Sequence, residues 1–227
     1  MTFEDSGALM EVKKKLYAAL KAFGPELDFR KKNKRSFTQS REGFMIKFED
    51  GTRMSLTVHR SSEHSAPGEF AAYSNSSVWA GPLYQTILER VPDAKTRFAN
   101  DQLIIGTSAS LVPGRANDYL FTAHDNAEKL ASQMIDDIRQ FLLPHLTAFV
   151  EDYSRAADTL IDGSVAGNLI VRNPFVLGLA CLYVSDRFSD VNQLVRTASN
   201  NDHFYDYHAA GDDGQPEVAD LVGYFSR

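Results

Sequence analysis

The sequence predicts an α+β protein, in which an antiparallel sheet is packed by amphipathic helices and followed by a C-terminal helical region. Three patterns indicate this class: apolar residues three or four apart in two segments, alternation on both sides of Asp50-Gly51, and helical spacing through the last third. We assign an α+β domain to residues 1–146 and a helical region to residues 147–227. The sequence leaves open whether these two parts form one domain.

Composition excludes several classes of protein. The 227 residues are 43% hydrophobic and carry 30 acidic against 24 basic side chains, a formal charge of −6, which indicates a globular chain. Cys181 is the only cysteine, so an intrachain disulfide and a cysteine zinc cluster are excluded. No segment approaches the ~20 consecutive apolar residues of a membrane span, and the first residues contain no apolar signal core. We therefore expect a cytoplasmic protein without membrane contact.

The first predicted element is an amphipathic helix. Its apolar positions recur every three or four residues: Leu9, Val12, Leu16, Leu20 and Phe23. Either Asp5 or Ser6 is expected to cap its N-terminus, and Gly24 with Pro25 is expected to end it.

A β-hairpin is predicted around Asp50-Gly51. A two-residue turn there would place the apolar residues of the two strands on opposite faces, whereas a three-residue loop, Glu49–Gly51, pairs Ile46 with Met54. This loop makes one face apolar throughout, with Gly51 in the left-handed conformation of a type I turn with a bulge. That face consists of alternate residues of both strands: Phe44, Ile46, Phe48, Met54, Leu56 and Val58.

Shorter elements surround the hairpin. Strands are predicted at Arg35–Arg41 and Glu69–Trp79, and a helix opened by a proline is predicted at Pro82–Val91. Two short strands, Gln102–Ile105 and Asp118–Phe121, are expected to pair with each other.

Helices dominate the second half of the chain. One begins near Asp125, with Glu128 three residues later as in a capping box. Pro144 is expected to end or kink it, after which the chain continues helically toward Ile161 and is interrupted at Gly163.

The last third of the sequence predicts a helical hairpin. Asn173-Pro174 begins a helix that is apolar on nearly all sides and is therefore expected to be buried, with Cys181 as a structural thiol inside it. A shorter helix at 189–198 is expected to pack against it, and a final helix is predicted at 216–225.

Three short motifs follow one another along the chain. They are the basic run Phe29–Phe37, the strand end Thr57–Ser62 and the helix end Phe141–Pro144. In these motifs the segment Leu9–Leu146 resembles the mostly bacterial domain-of-unknown-function family 4304. The resemblance implies a small α+β domain of sheet and helices, and it supplies no catalytic residues to transfer.

Basic residues are concentrated at the first predicted strand. Five of the six positions from 30 to 35 are cationic: Arg30, Lys31, Lys32, Lys34 and Arg35. Such a cluster is typical of a surface that binds an acidic partner or a phosphate. The alternative is a solvated turn into an edge strand, where lysines prevent strands of different molecules from pairing.

His59 and Arg60 end the best-defined strand, a position from which side chains often bind ligands. His59 with Glu63 suits general acid–base chemistry, but the sequence places no nucleophile or oxyanion loop beside them. Binding residues and exposed strand-end residues both agree with the pattern.

A second polar cluster lies near the C-terminus. His203, Asp206 and His208 carry the donor groups of a zinc or non-haem iron site. Neither a strand nor a helix aligns the two histidines on one face, and a solvent-facing loop is the alternative.

These observations favour a non-enzymatic protein-binding or adaptor protein, such as an immunity protein that neutralises a toxin by surface complementarity. The alternative is a hydrolase or metal-dependent enzyme that uses the His/Asp cluster. No cofactor is predicted, the expected partner is a protein and not a nucleic acid, and the oligomeric state is left open. Residues 1–60 carry 13 basic and 8 acidic side chains, whereas residues 151–227 carry 5 and 12. This asymmetry predicts charge-guided association with the partner.

Overall fold

The computed structural model describes residues 3–26, 33–40, 43–61, 69–97, 103–107, 119–122, 126–163, 169–171, 173–200 and 218–226. Its strands are β1 Lys34–Gln39, β2 Gly43–Phe48, β3 Arg53–Ser61, β4 Glu69–Trp79, β5 Leu103–Thr107, β6 Tyr119–Thr122 and β7 Leu169–Val171. Its α-helices are α1 Phe3–Glu26, α2 Gly81–Arg90, α3 Ala94–Arg97, α4 Ala127–Asp137, α5 Leu143–Glu151, α6 Tyr153–Ile161, α7 Pro174–Val184, α8 Val191–Ser199 and α9 Val218–Phe225. A π-helical turn, Ile138–Leu142, joins α4 to α5, and a 3₁₀ turn, Phe188–Asp190, precedes α8.

The strands follow the order β1-β2-β3-β4-β5-β7 in the sheet, and β6 also pairs with β4. The seven described strands belong to one sheet, in which β1 pairs antiparallel with β2 and β6 with β4. Several helices accompany the sheet, and a helical C-terminal region follows it. The predicted α+β class is therefore confirmed. Within the described part of the chain, no helix combines the length and the apolar character that crossing a membrane requires.

The pairing of the two short strands differs from the prediction. β6 pairs antiparallel with β4, with Tyr119 opposite Ala72, and β5 lies between β4 and β7. The expectation that β5 and β6 pair with each other is wrong. Because β4 is 11 residues long while β5 has five residues and β6 has four, β4 has enough length to pair with both of them.

The β2–β3 hairpin contains the predicted glycine turn. Gly51 has a φ of +85°, the left-handed conformation that glycine adopts without steric strain. The Asp50 carboxylate accepts a 2.9 Å hydrogen bond from the Thr52 amide, which holds the turn. The predicted apolar face is buried along both strands: Phe44, Ile46, Phe48, Met54, Leu56 and Val58.

The chain divides into two compact units. The first contains Met1–Phe48, Met54–Ser77 and Gly106–Pro144, and the second contains Glu49–Arg53, Val78–Ile105 and His145–Arg227. The assignment of a domain to residues 1–146 and a helical region to residues 147–227 stays a prediction.

In the first unit, α1 packs against α4 and also contacts β2. Phe23 of α1 meets Phe44 of β2 edge to face, with ring centroids 6.4 Å apart. Tyr119 on β6 is buried, and its hydroxyl donates a 2.5 Å hydrogen bond to the carboxylate of Asp137 at the end of α4. The sheet and the two helices therefore share one apolar core.

In the second unit, α7 contacts α2, α6, α8 and α9. Every residue from Pro174 to Leu182 is buried, because each side of α7 meets another helix. Near its end, the Arg90 guanidinium of α2 donates a hydrogen bond to the Tyr183 hydroxyl, and Tyr183 meets Phe225 of α9 edge to face at 6.2 Å. The prediction of a buried helix in this segment is confirmed, as are the shorter helix α8 and the final helix α9.

The first helix is longer than predicted. Gly24 and Pro25 lie inside α1, which ends at Glu26. Because proline has no N–H, Pro25 gives no helical hydrogen bond to the carbonyl of Lys21, four residues earlier. The Gln39 side-chain amide donates to that carbonyl at 2.9 Å instead. A bond from the sheet thus compensates for the bond that the proline removes.

The helix that follows β6 also passes its proline. The Leu143 N–H donates to the Ile138 carbonyl, five residues earlier, which is the hydrogen bond of a π-helical turn. The wider turn relieves the clash that the ring of Pro144 makes, in a regular α-helix, with the carbonyl four residues before it. The helix therefore does not end at Pro144, and the chain continues helically beyond it, as predicted.

Two side-chain caps set the helix boundaries in this region, and the second one interrupts the helix where continuation was predicted. Asn126 is the N-cap of α4, and its side chain accepts a 3.0 Å hydrogen bond from the Lys129 amide, whereas Asp125 lies outside the described residues. The predicted continuous helix toward Ile161 is interrupted at Asp152, whose φ is −139°. The Asp152 side chain caps the next helix by accepting from the Arg155 amide.

Gly43 provides a test of the close approach between β2 and β3. A Cβ atom at Gly43 would overlap the Leu56 carbonyl oxygen and lie 2.8 Å from the Thr57 Cα. Backbone cannot yield as a flexible side chain does, so we expect Gly43→Ala to lower the free energy of unfolding by about 1–3 kcal/mol. Urea denaturation followed by circular dichroism measures this change.

The matched control is Gly223→Ala in α9, where an added Cβ meets no atom within 4 Å. Alanine has the higher helix propensity, so this variant should be as stable as the parent or more stable by about 0.5–1 kcal/mol. Equal stability of the Gly43→Ala variant and the parent would contradict the close approach of the two strands.

Candidate functional site

The candidate site is the exposed strand β1, at one end of the strand order. Among the described strands β1 has a single neighbour, β2, and residues 33–40 are all exposed. Lys34 and Arg35 belong to the basic run predicted from the sequence. We call Lys34, Arg35, Ser36, Phe37, Thr38 and Gln39 the basic edge.

A bulge interrupts the pairing of β1 with β2 near its start. Lys34 lies opposite Phe48 while Ser36 lies opposite Lys47, so Arg35 is an extra residue on β1. After the bulge the register is regular, from Ser36 to Gln39. The charged part of the basic edge therefore lies at the bulge, and its regular part is four residues long.

An aromatic stack fixes the centre of the basic edge. Phe37 is 37% exposed, and its ring stacks on Phe44 with centroids 5.7 Å apart. Phe44 in turn meets Phe23, and the Arg139 guanidinium lies 4.9 Å from the centroid of the Phe23 ring. Phe37 is thus a partly exposed aromatic side chain, one side of which packs on the core of the first unit.

Gln39 connects the same strand to α1. Its side-chain amide donates to the Lys21 carbonyl, so the last turn of α1 lies beside the end of β1. Lys21 is exposed. A further exposed cation, Lys21, therefore lies near the end of the basic edge opposite to Lys34 and Arg35.

The structure describes only some of the predicted site residues. Lys34 and Arg35 lie on β1, while Arg30, Lys31 and Lys32 fall outside the described residues. His59 and Arg60 lie on β3 as predicted, and their side chains are not among those described.

The predicted metal ligands His203, Asp206 and His208 also lie outside the described residues. In the part of the chain that is described, no group of three or more His, Cys, Asp or Glu side chains is arranged to hold a metal ion. The metal-site hypothesis stays a prediction.

The pKa values of Cys181 and Arg187 are shifted, and each shift has a structural cause. Burial in α7 raises the pKa of the Cys181 thiol, which keeps it protonated and unreactive. A hydrogen bond to Asp190, followed by one to Asp158, raises the pKa of the Arg187 guanidinium.

The Arg187 cluster was not predicted from the sequence. The guanidinium donates to Asp190 at 2.7 and 2.9 Å, to Asp158 at 2.8 Å, and to the carbonyl and hydroxyl of Ser154 at 2.9 Å. These bonds join the turn after α7 to α6. Since the guanidinium already has three partners, we interpret it as a structural clamp.

Comparisons with known proteins give no relative. No family model matches the chain, and no curated protein or solved structure matches it either. The resemblance to family 4304 therefore stays a prediction.

His145 is expected to make the stability of the folded protein depend on pH. It is half-buried in α5, and burial, followed by the charge of Arg155, lowers its pKa in the folded protein. Below about pH 6.5 the unfolded chain then binds more protons at this position than the folded chain does. The folded state should therefore lose stability as the pH falls through this range, and His145→Gln should lose less.

Urea denaturation of both proteins between pH 8 and pH 5, at steps of about half a unit, measures this difference. The stability gap between the parent and His145→Gln should stay constant above about pH 7.5 and change in favour of the variant below about pH 6.5. Parallel curves across the whole range would contradict the lowered pKa.

Proposed function

We propose that this chain is a non-enzymatic protein-binding or adaptor protein, which acts in the cytoplasm and binds an acidic surface of a partner protein through the basic edge. The observation that carries the proposal is a terminal strand whose residues are all exposed and which combines two cations with an aromatic ring stacked on the core. Aromatic residues, phenylalanine included, and arginine are enriched at the cores of protein interfaces. The basic edge has both.

Charge supports a protein partner. The whole chain has a formal charge of −6, yet residues 1–60 have five more basic than acidic side chains. A local cationic surface on an acidic protein orients an approaching partner and raises its association rate, and salt screens the effect over about 8 Å at physiological ionic strength. Phosphate-tracking along a nucleic acid suits the acidic remainder of the chain less well.

Two of the shifted pKa values among the described residues have structural explanations. Cys181 is buried, and Arg187 is held by Asp190, Asp158 and Ser154 in a structural clamp. Each shift follows from packing or from pairing within the fold, so none of them requires a catalytic role to explain it. An immunity protein that neutralises a toxin by surface complementarity is the form of binding we propose.

Reversal of charge on the basic edge tests the proposal. We expect the intact protein, immobilised as bait, to retain a partner from native lysate, and Lys34→Glu with Arg35→Glu to reduce the retained amount at least tenfold. The physical reason is that two side-chain charges change sign, which lowers the net charge by four units, where the partner is acidic. Quantitative mass spectrometry of the bound fraction, at about 50, 150 and 300 mM salt, measures the loss.

The matched control is Lys129→Glu with Arg196→Glu, which changes the net charge equally at two exposed helical positions. It should retain the partner as the parent does, and circular dichroism should give the same fold for all three proteins. Capture that is equal for both double variants, or that does not decrease with salt, would argue against the basic edge as the binding surface.

A further inference from the structure

The hydrogen-bond pattern of the β1–β2 ladder identifies which backbone groups of β1 point outward. The Ser40 N–H donates to the Gly43 carbonyl at 2.9 Å, so Ser40 and Gly43 form a hydrogen-bonded pair. In an antiparallel ladder such pairs alternate with pairs that exchange no hydrogen bonds. Thr38 opposite Met45 is then hydrogen-bonded to β2, whereas Phe37 and Gln39 direct their N–H and C=O groups away from it.

The side chains of those same two residues lie on the α1 side of the sheet. Phe37 stacks on Phe44, which meets Phe23 of α1, and the Gln39 amide reaches the Lys21 carbonyl. A strand added to β1 places the side chain opposite Phe37 on the same side of the sheet. That side chain would cover the exposed part of the Phe37 ring.

Charge sets the direction of such an added strand. Lys34 and Arg35 precede Phe37, and the run of cations continues upstream along the chain. In an antiparallel strand, the residue opposite Phe37 is followed, two residues later, by one opposite the bulge at Arg35. A carboxylate at that position would face Arg35, and one at the next position would face Lys34.

We infer that β1 accepts, by antiparallel strand addition, an extended segment of the partner protein in which an apolar residue is followed two residues later by a series of carboxylates. The inference rests on the proposed function and gives the mode and the sequence preference of that binding. Main-chain hydrogen bonds to Phe37 and Gln39 supply the pairing, and the Phe37 contact and the charge supply the selectivity.

A second copy of this chain is a poor occupant of the same edge. In an antiparallel pair of β1 strands centred on Phe37, Arg35 of each copy would lie opposite Gln39 of the other, and the described residues 33–40 offer no Asp or Glu to the cations. The bulge at Arg35 also limits the regular edge to four residues, Ser36 to Gln39. A short acidic segment therefore complements the basic edge better than a second copy does.

Labelled peptides test the inference against the intact protein. The parent probe is Thr-Ser-Thr-Val-Thr-Glu-Thr-Glu-Glu, in which valine is designed to lie opposite Phe37 and the first glutamate opposite Arg35. The second probe has the same sequence reversed. Two further probes carry one N-methyl group each, either on the valine amide, which would point at β1, or on the following threonine amide, which would point away.

Fluorescence anisotropy, with protein up to millimolar concentration, measures the dissociation constants. We expect the parent and the threonine-methylated probe to bind alike, and the reversed and valine-methylated probes to bind at least tenfold more weakly. Phe37→Ala should weaken the parent probe several-fold and leave the protein folded, since the ring is already partly exposed.

The outcomes separate this inference from the proposed function. Equal binding of all four probes, lost in Lys34→Glu with Arg35→Glu, would overturn strand addition and leave charge-guided protein binding intact. Capture of a partner through the basic edge without binding of any probe would overturn the inference in the same way. Absence of both peptide binding and partner capture would overturn the two proposals together.

Discussion

The apolar face of the β2–β3 hairpin is the constraint on which the site depends. Gly51 in the left-handed conformation gives the turn its odd length, and that length brings the apolar residues of both strands to one face. A one-residue change of register would turn half of them outward. With the face continuous, α1 packs over it, and Phe23 meets Phe44. Phe37, next in the stack, is left at the margin of this core, half supported and half exposed.

The same packing explains how α1 and β1 are joined. Pro25 removes a hydrogen bond from the last turn of α1, and the Gln39 side chain replaces it at the Lys21 carbonyl. Because the proline leaves the Lys21 carbonyl without its helical hydrogen bond, that carbonyl is available to the Gln39 amide, and this bond connects helix and strand. This contact keeps the side chain of Gln39 on the α1 side, as the stack on Phe44 keeps Phe37. Both anchors orient β1 from one side and leave its outer edge exposed.

Local sequence patterns predicted most of the elements. The features that they did not predict depend on contacts between residues far apart in the sequence. The turn at Gly51 and the all-round burial of α7 follow from periodicity, because each reflects which side chains must leave water. The pairing of β6 with β4 does not, since short strands of similar character carry no mark of their partner. The hydrogen bonds of the Arg187 clamp could not be predicted for the same reason, because Ser154 and Asp158 lie about 30 residues before Arg187. At the candidate site, the sequence predicted the cations of β1 but not the stacked, exposed position of Phe37.

The energy available from strand addition explains why a basic run accompanies such a short edge. Phe37 and Gln39 together offer four outward main-chain groups, and a typical hydrogen bond contributes a net ~0.5–1.5 kcal/mol. Four bonds therefore give about 2–6 kcal/mol, which is comparable with the ~4–15 kcal/mol lost when two molecules associate. Backbone pairing alone is then too weak to hold a partner. The contact with Phe37 and the attraction of Lys34 and Arg35 must supply the remainder, so a neutral segment of equal length would not bind, and selectivity for an acidic one follows from the shortness of the edge itself.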